Sequence, residues 1–402
     1  MSRILLAWEL GTGFGHLGPF LGFAPQLLER GHELHIAARE IAGAVRAVGD
    51  LPIAVYQAPL CLNTYGGLQD PPLNYAEILM RYGYLEPAML RGLLAAWRSL
   101  QHAVRADVVI ADHAPTALLA ARLDHRPAAV IGSPFAVPPA VHPTPNMRGW
   151  TTVPPARLLD SDARVLAAIN EVLPAAAPRL SALYDMFDGA AQFFIGPPET
   201  DPYGVRPAAL YLGLTGRSSG TAILPWPAGT GKRVLAYLHG DHPHADAAIA
   251  ALAAAEARVI VYVFRGSEAQ RRAFAEAGAA VSTEPLDFDT LLPQSDLCVS
   301  HGPGTAFAAL QAGVPLLMLP KQLENYLFAL ALQRMGVACL VNPEQPQPDI
   351  GAQLSEVLQS ERYSVAAQAF AVRWRGELVD TMVKQVVGRI EALAALHQGE
   401  NA

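Results

Sequence analysis

Lysine is nearly absent from this chain. Three occur in 402 residues (Lys232, Lys321, Lys384), the arginines are scattered, and the net charge is −7. No basic stripe can be drawn of the kind that follows a nucleic-acid backbone, so no nucleic-acid partner is expected. Cysteine is equally sparse. Cys61, Cys298 and Cys339 lie far apart, which implies no disulfide framework and matches no zinc spacing. No uncharged apolar stretch reaches the ~18 residues of a membrane span. The apolar part of the start, MSRILLAWELGTG, ends at Glu9 and is too short for a secretory signal, so a cytoplasmic protein is expected. Charged residues make up 16% and hydrophobic ones 51%. That balance is the reverse of a disordered chain's and supplies material for large cores. At about 100–200 residues per domain, two domains are expected.

What is present is a series of short apolar runs alternating with helical patterns. Residues 3–8 (RILLAW) form an apolar run closed by a glycine-rich turn, as a strand buried on both faces reads. Leu21, Phe23, Ala24, Leu27 and Leu28 then recur at helical spacing up to Gly31. Residues 33–38, 55–58, 108–111, 128–131 and 192–195 are further strand candidates, with a helix through Trp97, Leu100 and Val104 between two of them. This alternation predicts a parallel sheet covered on both faces.

Residues 196–230 change texture, with GPPETDPYGVRP and TAILPWPAGTGK rich in proline and glycine like an interdomain linker. A second series follows, with strands at 234–238, 259–264, 296–300 and 315–319. Helices are expected at 245–257, 268–278 and 305–313, and a long helical pattern covers residues 365–397. The fold class is therefore α/β, two doubly wound Rossmann-like domains in tandem.

Gly13, Gly15 and Gly18 form a literal G-x-G-x-x-G after the first strand. In a dinucleotide-binding protein such glycines let a pyrophosphate approach a helix start, and Arg39-Glu40 lies where a ribose-reading acid would sit. An NAD(P)-dependent oxidoreductase is one reading of this turn. His16 adds another. A histidine at the carboxyl end of a strand points into the ligand crevice, and an imidazole suits a general base near neutral pH; the alternative is a capping or packing histidine. Asp112 ends the strand at 108–111 and could orient His16 through one ring nitrogen, or cap a helix starting near Pro115. His113 is its neighbour and a possible substrate contact.

The second half repeats the pattern. After the strand at 296–300 come His301, Gly302, Pro303, Gly304 and Thr305, where backbone N–H groups at a helix start can hold a diphosphate and His301 can bond or neutralise it. Glu324 and Asn325, after another strand end, can bond vicinal hydroxyls such as a sugar's; the alternative is a solvated helix start.

These motifs resemble those of nucleotide-sugar-dependent glycosyltransferases of the inverting two-domain GT-B kind, and most nearly the bacterial branch acting on macrolides, flavonoids and other lipophilic acceptors. The resemblance runs over nearly the whole chain. It is strongest in GTGFGHLGPFLGFAPQLLERGHELHIAA and DLCVSHGPGTAFAALQAGVPLLMLPKQLENYLFA. The family's G-H-x-x-P matches Gly15-His16-Leu17-Gly18-Pro19, which puts its base on His16 and the orienting acid on Asp112. Its donor motif H-G-G-x-G-T corresponds to the shorter His301-Gly302-Pro303-Gly304-Thr305. Its Asp/Glu-Gln pair corresponds to Glu324-Asn325, with a side chain one methylene shorter at the second position. The Ser/Thr loop of the second domain is here His239-Gly240-Asp241, and Pro285, Leu286 and Phe288 are candidates for holding the base.

The resemblance implies domains at 1–205 (acceptor) and 206–375 (nucleotide sugar). It also implies a final helix at 376–402 that packs back on the first domain, crossing near Arg375-Gly376. It further implies a metal-independent hexosyltransferase without a bound cofactor, its nucleoside-diphosphate sugar (UDP- or dTDP-linked) being a co-substrate. A nucleotide-sugar epimerase and a non-catalytic nucleotide-sugar-binding protein are the remaining alternatives. For the hydrophobic acceptor, large side chains cluster in two long segments. Tyr65 and Tyr82, with Tyr75, Tyr84 and Met89, lie in one; Phe135, Met147 and Trp150 lie in the other. Trp97, on its helix, reads as core.

Overall fold

Strands with apolar side chains on both faces can be satisfied only where helices cover both sides of a sheet, and the structure contains two such sheets. The computed structural model describes residues 1–11, 14–212, 220–374 and 377–400. The chain divides into two units, Met1–Ile195 with Tyr203–Leu212 and Thr381–Ala402, and Gly196–Pro202 with Gly213–Asp380.

The first unit holds β1 (Arg3–Trp8), β2 (Glu33–Ala38), β3 (Ile53–Gln57), β4 (Val108–Asp112), β5 (Ala128–Gly132), β6 (Ala191–Phe194) and β7 (Leu210–Tyr211). They lie in the order β3-β2-β1-β4-β5-β6-β7, and every pairing is parallel. The order reverses direction between β1 and β4, the place where open α/β sheets bind ligands. Register there puts Ala7 opposite Ala111 and Trp8 opposite Asp112. Leu5, Ala7, Val109 and Ala111 are buried beneath that edge with Trp97, which is core as expected. The helix Gly18–Glu29 follows β1, starts with Pro19 in its first turn and buries Phe20, Phe23, Ala24 and Leu27.

The second unit holds β8 (Lys232–His239), β9 (Ala257–Phe264), β10 (Ala280–Ser282), β11 (Leu297–Ser300), β12 (Leu316–Met318) and β13 (Ala338–Leu340) in the order β10-β9-β8-β11-β12-β13. All pairings are again parallel. Val234, Ala236, Val259, Val261, Leu297, Val299 and Leu317 form its core.

Several boundaries differ from the sequence expectation. The helix expected at 245–257 is Ala245–Ala254, because Ala257 already pairs with Lys232 as the start of β9. The helix expected from 305 starts at Pro303, with Gly302 as its N-cap. β7, β10 and β13, of two or three residues each, were not expected from the sequence. The single boundary expected at 205/206 is replaced by a more interleaved path, in which β7 adds to the first sheet after Gly196–Pro202 has joined the second unit.

The terminal pattern divides into two helices, Glu361–Arg373 and Glu377–Glu400. From Thr381 onward the last helix belongs to the first unit. Val383, Val386, Val387, Ile390 and Ala394 are buried along one stripe. Glu391 pairs with Arg30 at 2.7 Å and with His32 at 3.2 Å. Val372, within the helical pattern expected over 365–397, is 62% exposed and lies on the preceding helix. Arg375 and Gly376, the expected crossing point, and the side chains of Leu378 and Val379 lie outside the described residues. No described helix is long and apolar enough to cross a membrane.

Ile390 is fully buried, so Ile390→Ala is expected to remove about 2–5 kcal/mol of stability through lost burial and an incompletely collapsed cavity. Denaturant unfolding followed by fluorescence measures the loss.

Candidate functional site

β1 and β4 end side by side, and the polar residues of the first unit begin where those strands leave the sheet. His16 sits in the short turn Phe14–His16. Its Nδ1 is 2.8 Å from Oδ1 of Asp112, and the Trp8 ring stacks on the imidazole with centroids 5.1 Å apart. Trp8 is itself fixed by an Nε1–H bond to the carbonyl of Leu10 at 2.9 Å. Burial holds the Asp112 carboxyl above the usual carboxylate range, and the charge and hydrogen bond of His16 oppose that shift. Two glycines make room for the pair. A Cβ on Gly11 would stand 2.4 Å from His16 Nε2, and one on Gly132 would stand 2.8 Å from both Asp112 carboxylate oxygens. Both have positive φ, 81° and 106°, which glycine adopts without strain.

The helix-cap alternative for Asp112 is not what the structure shows. The helix Pro115–Leu123 has Ala114 as its N-cap residue, with no side-chain cap. The carboxylate at its start comes from Glu9, which accepts from Thr116 N at 3.0 Å and Thr116 Oγ1 at 2.6 Å. Tyr84 extends this network with its hydroxyl 2.7 Å from Thr116 Oγ1. Burial raises the Glu9 carboxyl to about 7, against the Thr116 bonds. Sequence reasoning passed over Glu9, which served only as the charge ending an apolar run. Its signal was a lone acid directly after a fully buried strand.

The dinucleotide reading of the first turn loses support in the same region. Gly13 lies outside the described residues. A Cβ on Gly15 or Gly18 would meet nothing within 4 Å, so no close helix–strand packing requires glycine there. Glu40 caps the helix Ile41–Val48 by accepting from Ala42 N and Gly43 N at 3.1 and 2.7 Å, and Arg39 donates to the Glu9 carbonyl.

The residues singled out for an acceptor are dispersed. Tyr65 donates to Glu86 at 3.1 Å, and Glu86 lines an apolar cavity of about 480 Å³ with Leu60, Met89 and Leu93. Tyr82 lies under the Arg39 guanidinium at 5.9 Å. Phe135 and Met147 are buried, and Trp150 is 43% exposed beside Arg148. Phe135 and Met147 are held through their backbones, one accepting from Tyr203 at 3.2 Å and the other donating to Leu73 at 2.7 Å.

In the second unit the ends of β8, β11 and β12 adjoin. His239 ends β8 and His301 follows β11, with ring centroids 3.9 Å apart. Tyr237 flanks His301 at 4.9 Å. Burial, then the neighbouring His239 and His242, pushes His301 down to about 3. Burial likewise lowers His239. Both rings are therefore neutral hydrogen-bonding groups at physiological pH. Gly302 caps the helix Pro303–Gln311, whose first turn carries exposed Gly304 and buried Thr305. Asn325 reaches the same turn: a Cβ on Gly302 would stand 3.6 Å from its Nδ2. Glu324 lies one residue earlier, in the first turn of Leu323–Arg334. Gly240 packs its backbone against Gly266. Lys321 pairs with Asp241 at 2.7 Å, which holds that carboxyl below its usual range.

His301, Gly302, His239 and Asn325 are thus brought together around one helix start. Sequence reasoning did not single out Tyr237 or His242 there. Leu286 is buried, and the residues on either side of it bond Ala222 at 3.1 and 2.9 Å. Phe288 lies 6.3 Å from Tyr237. Among the described residues no group of three His, Cys, Asp or Glu side chains is placed to hold a metal ion.

No family model and no curated protein matches the chain. Solved structures do. The glycotransferase of kitacinnamycin matches with TM-score 0.71 and 19% identity over 98% of this chain and 99% of that one. Glycosyltransferase VinC in complex with dTDP matches with TM-score 0.63 and 21% identity over 98% and 99%. Spinosyn rhamnosyltransferase SpnG with spinosyn aglycone matches with TM-score 0.63 and 17% identity over 97% and 100%. The chain has the GT-B fold. At these identities the likeness is one of fold, and in this GT-B chain the two groups of polar residues stand at the strand ends where such sheets bind ligands.

Glu9 yields a prediction independent of any activity. Its folded value of about 7 exceeds its ordinary 4.5, so the folded state binds this proton more tightly than the unfolded state. The resulting stability is fully present below pH 4.5 and is lost as pH rises through 7. Glu9→Gln carries no charge to desolvate. Its stability relative to wild type is expected to improve by about 3 kcal/mol between pH 4.5 and 8. Denaturant unfolding of both proteins across that range tests this.

Proposed function

We propose that this protein is an inverting glycosyltransferase of the cytoplasm. It moves a sugar from a UDP- or dTDP-sugar to a hydroxyl of a hydrophobic small molecule. The observation that carries this reading is the 2.8 Å bond between His16 and Asp112 at the reversal point of the first sheet. The likeness in fold to VinC, solved with dTDP, and to SpnG, solved with an aglycone, supports it as analogy.

In this mechanism Asp112 fixes the His16 ring through Nδ1 and stabilises the imidazolium that forms. His16 Nε2 takes the proton of the acceptor hydroxyl. The oxygen attacks the anomeric carbon from the face opposite the diphosphate, so the new C–O bond forms as the bond to the phosphate oxygen breaks, and the configuration inverts. The electron pair leaves with the nucleoside diphosphate. Its charge falls to the start of the helix Pro303–Gln311, where Gly304 and Thr305 offer backbone N–H groups, and to His301 and His239 as neutral donors. Glu324 and Asn325 contact the sugar hydroxyls. Leu286 lies along the base, and Tyr65, Tyr82, Phe135, Met147 and Trp150 surround the acceptor. No metal is needed in this scheme, since helix start and imidazoles take the leaving charge.

A panel of UDP- and dTDP-sugars screened by thermal shift, followed by transfer assays with phenolic and macrolide acceptors, tests the reading. Product with inverted anomeric configuration supports it. Nicotinamide nucleotide binding, epimerised donor, or donor binding without turnover would overturn it in favour of the alternatives.

His16→Ala is expected to lower turnover by roughly 10²–10⁴-fold with donor affinity retained. Near-wild-type transfer would remove His16 from the mechanism. Asp112→Asn is expected to cost at least ~10²-fold, since a neutral amide cannot stabilise the imidazolium. A variant that loses stability but keeps its specific activity would assign Asp112 a structural role. Treatment with EDTA is expected to leave the rate unchanged, and a loss restored by Mg²⁺ or Mn²⁺ would contradict the metal-free scheme.

A further inference from the structure

His113 follows Asp112 and takes no part in the mechanism above, yet its backbone is held in an uncommon conformation and its ring is buried. Its φ is +44°, a left-handed conformation in which a Cβ is strained; histidine enters it more often than most residues, but glycine enters it freely. The backbone is held there by the Leu10 N–H, which donates to the His113 carbonyl at 2.9 Å. The ring is 92% buried, and its Nε2 has no hydrogen-bond partner among the described residues. Burial, reinforced by the charges of His16 and Arg39, keeps it neutral at any ordinary pH. The Tyr75 ring lies beside it, centroids 6.1 Å apart, with its own hydroxyl buried and without a partner among the described residues.

The ring faces a definite place. The point where a Cβ of Gly11 would stand is 2.4 Å from His16 Nε2 and 3.6 Å from His113 Nδ1. Two imidazoles, one from the turn that follows β1 and one just past the end of β4, therefore flank the same side-chain-free backbone of Gly11. A neutral imidazole carries one N–H, and a buried N–H without an acceptor is rarer and costlier than a bare lone pair. The favoured tautomer thus has its proton on Nδ1, the atom nearest that point, and leaves Nε2 as the lone pair.

We propose that His113 is a second acceptor-binding imidazole, which with His16 and the bare backbone of Gly11 forms the seat of the reacting hydroxyl. The proposal rests on the transferase reading and adds a residue to it. The hydroxyl donates its O–H to His16 Nε2 and accepts the His113 Nδ1–H on its oxygen, which fixes the direction of the remaining lone pair. His113 stays neutral throughout and transfers no proton. The hydroxyl compound is recognised by two hydrogen bonds at one oxygen, so a thiol or an ether of the same shape is a poor ligand.

Phenol serves as the minimal hydroxyl probe, titrated into full-length protein labelled with ¹⁵N at histidine, with His16→Ala and His113→Gly assigning the two rings. The expected result is that both rings shift with one dissociation constant and that His113 shows the Nδ1–H tautomer. Glycine suits the left-handed backbone, so His113→Gly is expected to unfold no earlier than wild type. It should nevertheless bind phenol at least ~5-fold more weakly and glycosylate it with about tenfold lower kcat/KM, as loss of one hydrogen bond requires. His113→Asn also tolerates this backbone, retains a donor and should restore part of the loss. Phenol shifting His16 alone, the Nε2–H tautomer, or wild-type phenol binding in His113→Gly would overturn the proposal. Phenol binding at both rings without sugar transfer from any donor would sink the transferase reading and leave the hydroxyl seat standing. Transfer at the wild-type rate in His113→Gly would leave the transferase reading and sink the seat.

Discussion

A strand buried on both faces of a parallel sheet has no place for an uncompensated polar side chain until it leaves the sheet. In the first unit β1 is apolar through Trp8 and then meets Glu9, and β4 is apolar through Ala111 and then meets Asp112 and His113. In the second unit β8 ends in His239, and β11 ends in Ser300 before His301. Because every pairing is parallel, these ends fall on one edge of each sheet. The chemistry collects along that edge as a consequence of core burial.

Each buried carboxylate at that edge of the first sheet is held differently. Glu9 is bonded by the start of a helix and its Thr116 hydroxyl, and Asp112 by an imidazole. Desolvation raises both, so neither would keep its charge readily without its partner. The stacked Trp8 ring, itself held by its indole bond to Leu10, and the bond to Asp112 orient His16, and the missing side chains of Gly11 and Gly132 leave room for the pair. Such preorganisation is what the proposed general-base role of His16 would require.

The second unit solves an opposite problem. His239 and His301 lie so close that two positive rings would repel, and burial already disfavours charge on either. Neutral donors beside a helix start suit an anion that brings its own charge. The nearby cation Lys321 is paired with Asp241, so the local field stays balanced.

Length, the alternation of apolar runs with helical patterns, and the sparse lysine and cysteine were enough to determine two parallel α/β units. They also placed His16, Asp112 and His301 at strand ends, because burial on both faces leaves an unbroken apolar run that terminates visibly. The short strands β7, β10 and β13 were not anticipated from the sequence. The helix-capping bonds of Glu9 and the backbone conformation of His113 were decided by tertiary structure alone. Glu9 caps a helix more than a hundred positions away in the chain. The backbone of His113 is turned left-handed by a carbonyl that Leu10 must reach. Sequence spacing describes one strand at a time, whereas hydrogen bonds between strand ends depend on which strands the sheet sets side by side.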